Sequence, residues 1–550
     1  MEIFEATIAL LGAALLLSGV AGRLAVPYPS LLVLGGLLFG FLHILPSVEL
    51  DPAIAFALFL PPILFEASVT TSWRDFRTYL VAILSLAVLL VGVSTYVVAV
   101  VADRLIPELP LGAAFVLGAI VSPPDAAAAT AVLRKMRLPR SVVTIIEGES
   151  LINDAAALVI YNLAVAAVST GHFSAPAALL SLARSVTISI ALGLLIGWGL
   201  SRLAARIADP LISILASFLV AFATYRVAEH LEISGVLAVV TLGLVCAWRV
   251  PTVLTPDTRL NGEAVWRLVI FALNALAFVL IGLQLPMIVA ELPGYSVTTL
   301  AIDGGVIAAT AIAVRLVWVM AAWLLQRIPP LGRRLPHPVN WRQALIVGWS
   351  GMRGLISLAA ALALPHTIGN GEPFPARALV LFLSFSVILA TLVVQGLSLG
   401  ALIRALGLGE DSAVAEEERL ARTETANAAI AALDKLAENP AMPHDVINQA
   451  RMLYISRLNQ LHEQDSAEVI AHSNAGLLYV VRLAAIAAER TALLALRRRR
   501  AIGDGPLNTI QHELDLLETV LRRRGPKSLV AADLDLSDAT LAELTSMVQK

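Results

Sequence analysis

The most constraining feature of this chain is a series of long apolar segments that recur between Phe4 and Arg404. Each is close to the roughly 20 residues that an α-helix needs to cross a bilayer. Strand-like alternation is absent from these segments, and a backbone in lipid must satisfy its own hydrogen bonds, so they predict helices. The composition agrees, because 58% of the residues are hydrophobic and 15% are charged, with a mean hydropathy of +0.82. The sequence therefore predicts an all-α polytopic membrane protein.

The apolar segments predict thirteen transmembrane spans. Their predicted limits are 4–22, 28–46, 51–69, 78–102, 111–136, 143–168, 176–201, 209–229, 234–248, 263–290, 299–326, 341–365 and 376–403. The first segment follows the acidic stretch MEIFEA and precedes no small-residue cleavage site. We therefore expect it to be a retained span and not a signal peptide.

Basic residues are distributed unevenly over the loops between these spans. One set of alternate loops holds Arg23, Arg74, Arg77, Arg134, Lys135, Arg137, Arg140, Arg202, Arg206, Arg249, Arg259, Arg327, Arg333, Arg334 and Arg342. The opposite set holds Arg104, Arg226 and Arg377. Because cytoplasmic loops carry the excess of Lys and Arg, the N terminus is predicted outside and the C-terminal region in the cytoplasm of a cell (inner) membrane protein.

The composition changes abruptly after Arg404 to charged, Ala-rich and Leu-rich sequence with helical spacing. We predict a transmembrane domain at 1–404 and a cytoplasmic helical domain, regulatory in role, at 405–550. The chain shows no phosphate-binding loop and no metal-spaced Cys/His cluster, so no cofactor and no nucleic-acid partner are expected.

Two predicted spans contain a helix break. In the fifth span, Pro123 and Pro124 remove two backbone donors and leave Asp125 beside the interruption. In the twelfth, three glycines surround Arg353 at mid-span. These glycines are Gly348, Gly351 and Gly354. The fifth and twelfth spans correspond if spans 1–6 and 8–13 are two six-helix repeats, and paired broken helices indicate a transporter site.

The sixth span carries the polar stretch EGESLINDAAALVIYN from Glu147 to Asn162. Helical spacing puts Glu149 and Asn153 on one face. A neighbouring stripe consists of Glu147, Ser150, Asp154 and Tyr161. Asp154 lies about half-way through the span, and an ionisable residue at membrane depth is a functional candidate.

We predict that Glu149 is neutralised by Arg353 of the twelfth span, with Arg315 of the eleventh as the competing partner. Glu147 is predicted to lie near the start of its helix, where a carboxylate favours the N-terminal dipole.

These motifs carry a family resemblance. EGESLINDAAALV resembles the Glu-Ser-x-x-Asn-Asp signature of the NhaP-type sodium/proton antiporters, relatives of the animal sodium/proton exchangers. GWSGMRGLISLAAALALP and FLPPILFEAS resemble two further motifs of that family. The resemblance covers roughly the first 400 residues, and it implies an inverted-repeat homodimer in which a core bundle with crossed broken helices moves against a dimerisation bundle.

Carried over residue by residue, the resemblance implies that Asp154 is the carboxylate that binds the ion and the proton. Asn153 and Ser150 would support it, Asp125 would line the site, and Glu149 would pair with Arg353.

The chain departs from the family at the first break, where Ser122-Pro123-Pro124-Asp125 replaces the usual Thr-Asp-Pro. A carbonyl or the hydroxyl of Ser122 is then expected to replace the missing ligand. Glu66 corresponds to an acidic residue near the family's ion site, or else it is an exposed helix-end carboxylate.

Competition between a cation and a proton for Asp154 gives exchange if only the loaded protein reorients. Na⁺ prefers oxygen ligands, which Asp154, Asp125 and Ser150 provide. Because Asn153 carries no titratable proton, electroneutral exchange of one cation for one proton is predicted. K⁺/H⁺ antiport on the same fold is the alternative. A cation channel is less favoured because the polar groups form one concentrated site, and an intramembrane hydrolase is disfavoured by the lack of a Gly-x-Ser-x-Gly elbow.

Overall fold

The computed structural model describes residues 2–24, 26–44, 51–133, 136, 138–170, 175–207, 209–292, 294–327, 339–368, 371–408, 412–438, 443–463 and 504–524, with separate positions between 482 and 499. The chain divides into two compact units, Met1–Asp411 and Ser412–Lys550. Across the described residues the regular structure is helical, and one isolated bridge joins Thr367 to Pro373. The predicted all-α class is confirmed.

Helices occupy all of the predicted apolar segments. They are α1 (Glu2–Leu24), α2 (Tyr28–Phe41), α3 (Pro52–Thr70), α4 (Trp73–Thr78), α5 (Leu80–Leu84), α6 (Val91–Leu105), α7 (Leu111–Val121), α8 (Ala126–Leu133), α9 (Arg140–Thr170), α10 (Ala175–Ala204), α11 (Pro210–His230), α12 (Gly235–Val253), α13 (Pro256–Ala290), α14 (Val297–Leu325), α15 (Trp341–Trp349), α16 (Leu355–Leu362), α17 (Arg377–Ala390) and α18 (Gly396–Leu406). Two π-helical segments, Ser85–Leu90 and Thr391–Gln395, connect α5 to α6 and α17 to α18. Eight described helical stretches are long and apolar enough to cross a membrane, and four shorter apolar helices accompany them. The count of thirteen and the six-helix repeats stay predictions.

Several helix limits differ from the predicted span edges. The helix α2 ends at Phe41, and α13 begins at Pro256 with Thr255 as its N-cap. The helix α9 begins at Arg140, three residues before the predicted edge. A hydropathy pattern discounts polar first turns, whereas the helix itself includes them, and this explains the earlier starts.

Close helix packing depends on small residues at the contact between α2 and α13. A Cβ added at Gly36 would lie 2.4 Å from the carbonyl oxygen of Val279, and one at Gly282 would lie 2.3 Å from that of Val33. Any larger side chain would push the helices apart. In lipid the hydrophobic effect does not favour association between helices, so close van der Waals contacts of this kind stabilise the helix pair instead.

The two predicted breaks are confirmed. The chain leaves the helix at Ser122–Asp125, called here the first break, and at Ser350–Gly354, the second break. The breaks contact each other, because the Asp125 backbone N–H donates to the Met352 carbonyl over 2.6 Å. Four helix ends therefore meet inside one bundle.

The second unit contains three described helices, α19 (Ser412–Ala437), α20 (His444–Glu463) and α21 (Asp504–Arg524). An ion pair of 2.7 Å between Arg451 and Asp434 joins α19 to α20. The predicted domain limits and the regulatory role stay predictions.

Candidate ion-binding site

Asn153 and Asp154 lie in α9 where it passes the first break. Their side chains are 0% and 2% exposed. Asn153 Nδ2 donates to the Pro124 carbonyl over 2.7 Å, which fixes α9 against the break. Asn153 Oδ1 and Asp154 Oδ2 are buried without a hydrogen-bond partner. Buried polar atoms are normally paired, so two acceptor oxygens without a donor mark a place for a proton or a cation.

Asp125 is half-buried and caps two half-helices. Its Oδ1 accepts from the backbone N–H of Ala127 in the first turn of α8, over 2.8 Å. The backbone N–H of Leu355, the first residue of α16, also hydrogen bonds to this carboxylate. The carboxylate occupies the place a side chain at Gly354 would take, since a Cβ there would lie 1.7 Å from Asp125 Oδ2. A negative charge at two helix N-termini is favourable.

Arg353 lies in the second break and is 1% exposed. Its Nε donates to the carbonyl of Val121, the last residue of α7, over 2.9 Å. Its Nη1 donates to the Gly351 carbonyl, and its Nη2 to the Ala311 carbonyl over 3.4 Å. The guanidinium therefore compensates the negative end of the α7 half-helix.

Glu149 pairs with Arg315, and the predicted pair of Glu149 with Arg353 is wrong. Arg315 Nη1 and Nη2 donate to Glu149 Oε1 and Oε2 over 2.5 and 2.7 Å, and the two side chains are 2% and 1% exposed. Arg315 Nη2 also donates to the Val347 carbonyl near the end of α15, over 3.0 Å. A Cβ at Gly351 would lie 2.3 Å from Arg315 Cδ, so glycine lets this side chain cross the second break. The competing partner named from the sequence is the one observed.

The other predicted residues around the first break have defined places. The Ser122 hydroxyl donates to the Gly118 carbonyl over 2.5 Å and lies 3.0 Å from Thr95 Oγ1, so it is engaged with the last turn of α7 and with α6. The Pro124 carbonyl accepts the hydrogen bond from the Asn153 side-chain amide. Ser150 is half-buried in α9, one turn before Asp154.

The two outlying acids are also half-buried. Glu66 lies one turn before the end of α3 and lines a cavity described below. Glu147 lies seven residues into α9, because this helix begins at Arg140. The predicted role of Glu147 at a helix N-terminus is therefore wrong, since the dipole effect is confined to the first turn.

The polar residues of the last span were not predicted from the sequence. Thr391 Oγ1 accepts from the Arg353 backbone N–H over 3.1 Å and thus holds the second break. Ser30 in α2 donates to the Leu392 carbonyl over 2.6 Å. Gln395 is 0% exposed, and both polar atoms of its amide lack a partner. Thr391 and Gln395 are two polar residues four positions apart in an apolar span, and this spacing could have identified them from the sequence.

The charges of the buried acids and arginines indicate which ligand would neutralise the site. With Glu149 and Asp125 ionised, these acids balance Arg315 and Arg353, and Asp125 and Glu149 are close enough to act electrostatically on Asp154. Ionised Asp154 then leaves one excess negative charge in a buried site. One proton or one monovalent cation cancels it, which lowers the cost of burial. Within the described residues no group of three or more His, Cys, Asp or Glu could hold a metal ion, so a cation here would depend on few carboxylates and on neutral oxygens.

A family model described as sodium/hydrogen exchanger, transmembrane, matches residues 7–405. An uncharacterized Na⁺/H⁺ exchanger of Mycobacterium bovis is 36% identical over 525 residues, which cover 94% of this chain and 95% of the relative. The chain belongs to the family of transmembrane sodium/hydrogen exchangers. The resemblance to sodium/proton antiporters that the motifs indicated is confirmed.

Two further comparisons concern the cation and the fold. A sodium, potassium, lithium and rubidium/H⁺ antiporter of Bacillus subtilis is 32% identical over 410 residues, covering 72% of this chain and 60% of the relative. The structure of the sodium proton antiporter MjNhaP1 from Methanocaldococcus jannaschii matches with a TM-score of 0.58 at 20% identity, covering 74% of this chain and 100% of that one. At that identity the match shows the shared fold.

Proposed function

We propose that this protein is a secondary transporter, and not an enzyme, that exchanges Na⁺ for H⁺ at Asp154. One observation carries this assignment: Asp154 Oδ2 is a buried carboxylate oxygen without a hydrogen-bond partner. When Asp154 is ionised, the site has one negative charge more than its arginines compensate. A proton and a sodium ion compete for that place. The loaded site is neutral in both cases, whereas the empty site carries a charge that opposes movement through an apolar environment. Reorientation of the loaded site alone gives alternating access.

The neighbouring groups have separate roles in this proposal. Asn153 holds α9 to the first break and directs its free Oδ1 toward the ion, and Ser150 and Asp125 supply further oxygens. Hard cations favour such ligands. Glu149 and Arg315 form a permanent internal pair that positions α9 against α14.

The stoichiometry follows from the number of carboxylates whose charge is not already compensated. Glu149 has a bidentate arginine, Asp125 caps two half-helices, and position 153 is an amide. Asp154 is then the only one of these groups that changes protonation in the cycle, and exchange is one cation for one proton, without net charge transfer.

The transported cation is assigned to Na⁺ from the family, and K⁺ is the alternative. The relative from Bacillus subtilis is named for sodium, potassium, lithium and rubidium, so larger cations require direct comparison.

We further propose a homodimer in the cell membrane, with lipid around it, the N terminus outside and the C-terminal unit as a cytoplasmic regulator. The excess of basic residues on one set of loops supports that orientation.

The test is proton flux in sealed proteoliposomes, driven in turn by Na⁺, Li⁺ and K⁺ gradients, with the membrane potential clamped at several values. We expect sodium-driven proton movement whose rate does not depend on the potential. A sodium-triggered current at zero potential would contradict the one-to-one stoichiometry. Sodium flux without coupled proton movement would indicate a channel and would overturn the exchange itself.

A further inference from the structure

A cavity of about 490 Å³ lies between the ends of five helices, α3, α10, α11, α12 and α13. Of the described residues that line it, none lies on α7, α8, α9, α15 or α16, which carry the crossed breaks and Asp154. The cavity is therefore separate from the candidate ion site.

The walls of the cavity are mainly apolar. They include Phe65, Leu200, Ile214, Cys246, Val253 and Trp266. Trp266 is held in place on two sides, because its ring stacks on Phe218 with centroids 3.8 Å apart and its Nε1 donates to Ser217 over 3.1 Å. Fixed aromatic and aliphatic walls in a cavity of this size suit a hydrocarbon chain.

Three arginines, Arg249, Arg259 and Arg267, line this cavity together with two glutamates, Glu66 and Glu263, so one positive charge is in excess. Arg267 is paired with Glu263. Arg259 Nη1 donates to the Leu254 carbonyl over 2.6 Å, which uses one of the five N–H groups of its guanidinium. Arg249 lies over the rings of Trp198 and Trp248, 5.4 and 5.0 Å from their centroids. Such arginines match an anionic group, phosphate above all.

The helix ends around the cavity join the set of loops that has the excess of basic residues. They are the C-terminal ends of α3, α10 and α12 and the N-terminal ends of α11 and α13. The predicted topology puts those ends at the cytoplasmic surface. The cytoplasmic leaflet is anionic, and basic pockets between transmembrane helices on that side bind anionic head groups.

We propose that this cavity binds one anionic phospholipid of the cytoplasmic leaflet. An acyl chain lies against Phe65, Ile214 and Trp266, and the phosphate is held by Arg249 and Arg259. The site is independent of the exchange proposed for Asp154, since it shares no helix with the crossed breaks.

The chain has one cysteine, and it lines this cavity, so the native thiol reports occupancy. The purified full-length protein is reconstituted in vesicles of phosphatidylcholine, or of phosphatidylcholine with phosphatidylglycerol, and Cys246 is labelled with a membrane-permeant maleimide. We expect phosphatidylglycerol to slow labelling about tenfold, the protection given by a site about nine-tenths occupied. Inorganic phosphate added to phosphatidylcholine vesicles is expected to give no protection.

The variants Arg249→Gln and Arg259→Gln test the phosphate contacts. Loss of one charged hydrogen bond weakens binding roughly tenfold, so protection should fall to about twofold. Arg404→Gln is the matched control, because Arg404 is an exposed arginine at the same predicted side and does not line the cavity. It should leave protection unchanged.

Equal protection by phosphatidylcholine alone or by inorganic phosphate would overturn the assignment, and so would undiminished protection in both arginine variants. If either variant fails to fold, native mass spectrometry of the unaltered protein decides. Preferential retention of phosphatidylglycerol over phosphatidylcholine supports the site, and equal retention contradicts it. Neither measurement requires transport, so a result against the lipid site is distinguishable from a result against the proposed exchange.

Discussion

The two helix breaks use the same backbone device with opposite charges. The first break contains two prolines and presents the carboxylate of Asp125 to the N-terminal ends of α8 and α16. The second break is rich in glycine and presents the guanidinium of Arg353 to the C-terminal end of α7, while Arg315 reaches the end of α15. Each charge is thus placed where a half-helix dipole favours it.

This comparison shows why Asp154 stands apart from the other charged groups at the crossing. Asp125, Arg315 and Arg353 each contact a helix end, and Glu149 has its own arginine. Asp154 has a buried oxygen without any partner. The structural charges compensate the breaks, and the remaining carboxylate is the one that we propose for transport.

The largest effect is expected from Asp154→Asn. The amide cannot exchange a proton or supply a full negative charge, so sodium-driven proton flux should fall to the level of empty vesicles while the protein still folds and inserts. Flux in proteoliposomes and thermal unfolding of the purified protein are the two measurements. Asp303→Asn, outside the crossed breaks in α14, serves as the control and should keep its flux. Normal sodium-driven flux in Asp154→Asn would disprove the assigned role.

The next effect concerns the internal ion pair. Removing Glu149 or Arg315 alone leaves a buried charge without its partner, which costs about 3–5 kcal/mol of unfolding free energy. In a double-mutant cycle of Glu149→Gln and Arg315→Met, the double variant should lose clearly less than the sum. The matched cycle of Glu149→Gln with Arg353→Met should be closer to additive, because Arg353 donates to backbone carbonyls. The opposite ranking of the two couplings would restore the pairing predicted from sequence.

A smaller effect is expected where the two breaks touch. Gly354→Ala places a methyl group on the Asp125 carboxylate, and forcing extra volume into a packed interior costs about 1–3 kcal/mol. Gly305→Ala is the control, since a Cβ there meets nothing within 4 Å. Unfolding temperature and exchange rate should both fall in the first variant, whereas neither should fall in the second, since alanine is tolerated or mildly stabilising at an open helix position. Equal behaviour of the two would mean that Asp125 does not occupy the space beside Gly354.

The smallest effect is expected at Thr391. Thr391→Val keeps the shape but removes the acceptor for the Arg353 backbone N–H, and a buried unpaired donor costs about 1–3 kcal/mol, with the low end expected for one neutral bond. Thr391→Ser retains the hydroxyl and should be milder, which thermal unfolding can resolve. A serine variant as damaged as the valine variant would assign the effect to packing instead of the hydrogen bond.

Much of the architecture could be predicted from local sequence. Apolar segments of membrane length, the Pro123-Pro124 pair and the glycines around Arg353 each act within one helix, so the helical class and both breaks followed from them. The same holds for Asp154 and Asn153 as buried polar residues in α9. Helix starts were less accurate, and the early start of α9 at Arg140 removed the role predicted for Glu147.

Which groups meet across helices was decided only by the tertiary structure. Helical spacing gives the face of a residue on its own helix, but not the rotation of that helix against its neighbours. The choice of Arg315 over Arg353 for Glu149, the contact of Asn153 with the Pro124 carbonyl, and the hydroxyl of Thr391 at the second break all depend on that rotation. The sequence by itself determined that a membrane-embedded carboxylate lies beside two interrupted helices. Packing determined which charges are compensated there, because buried ion pairs and helix-end contacts form only where distance and direction allow them.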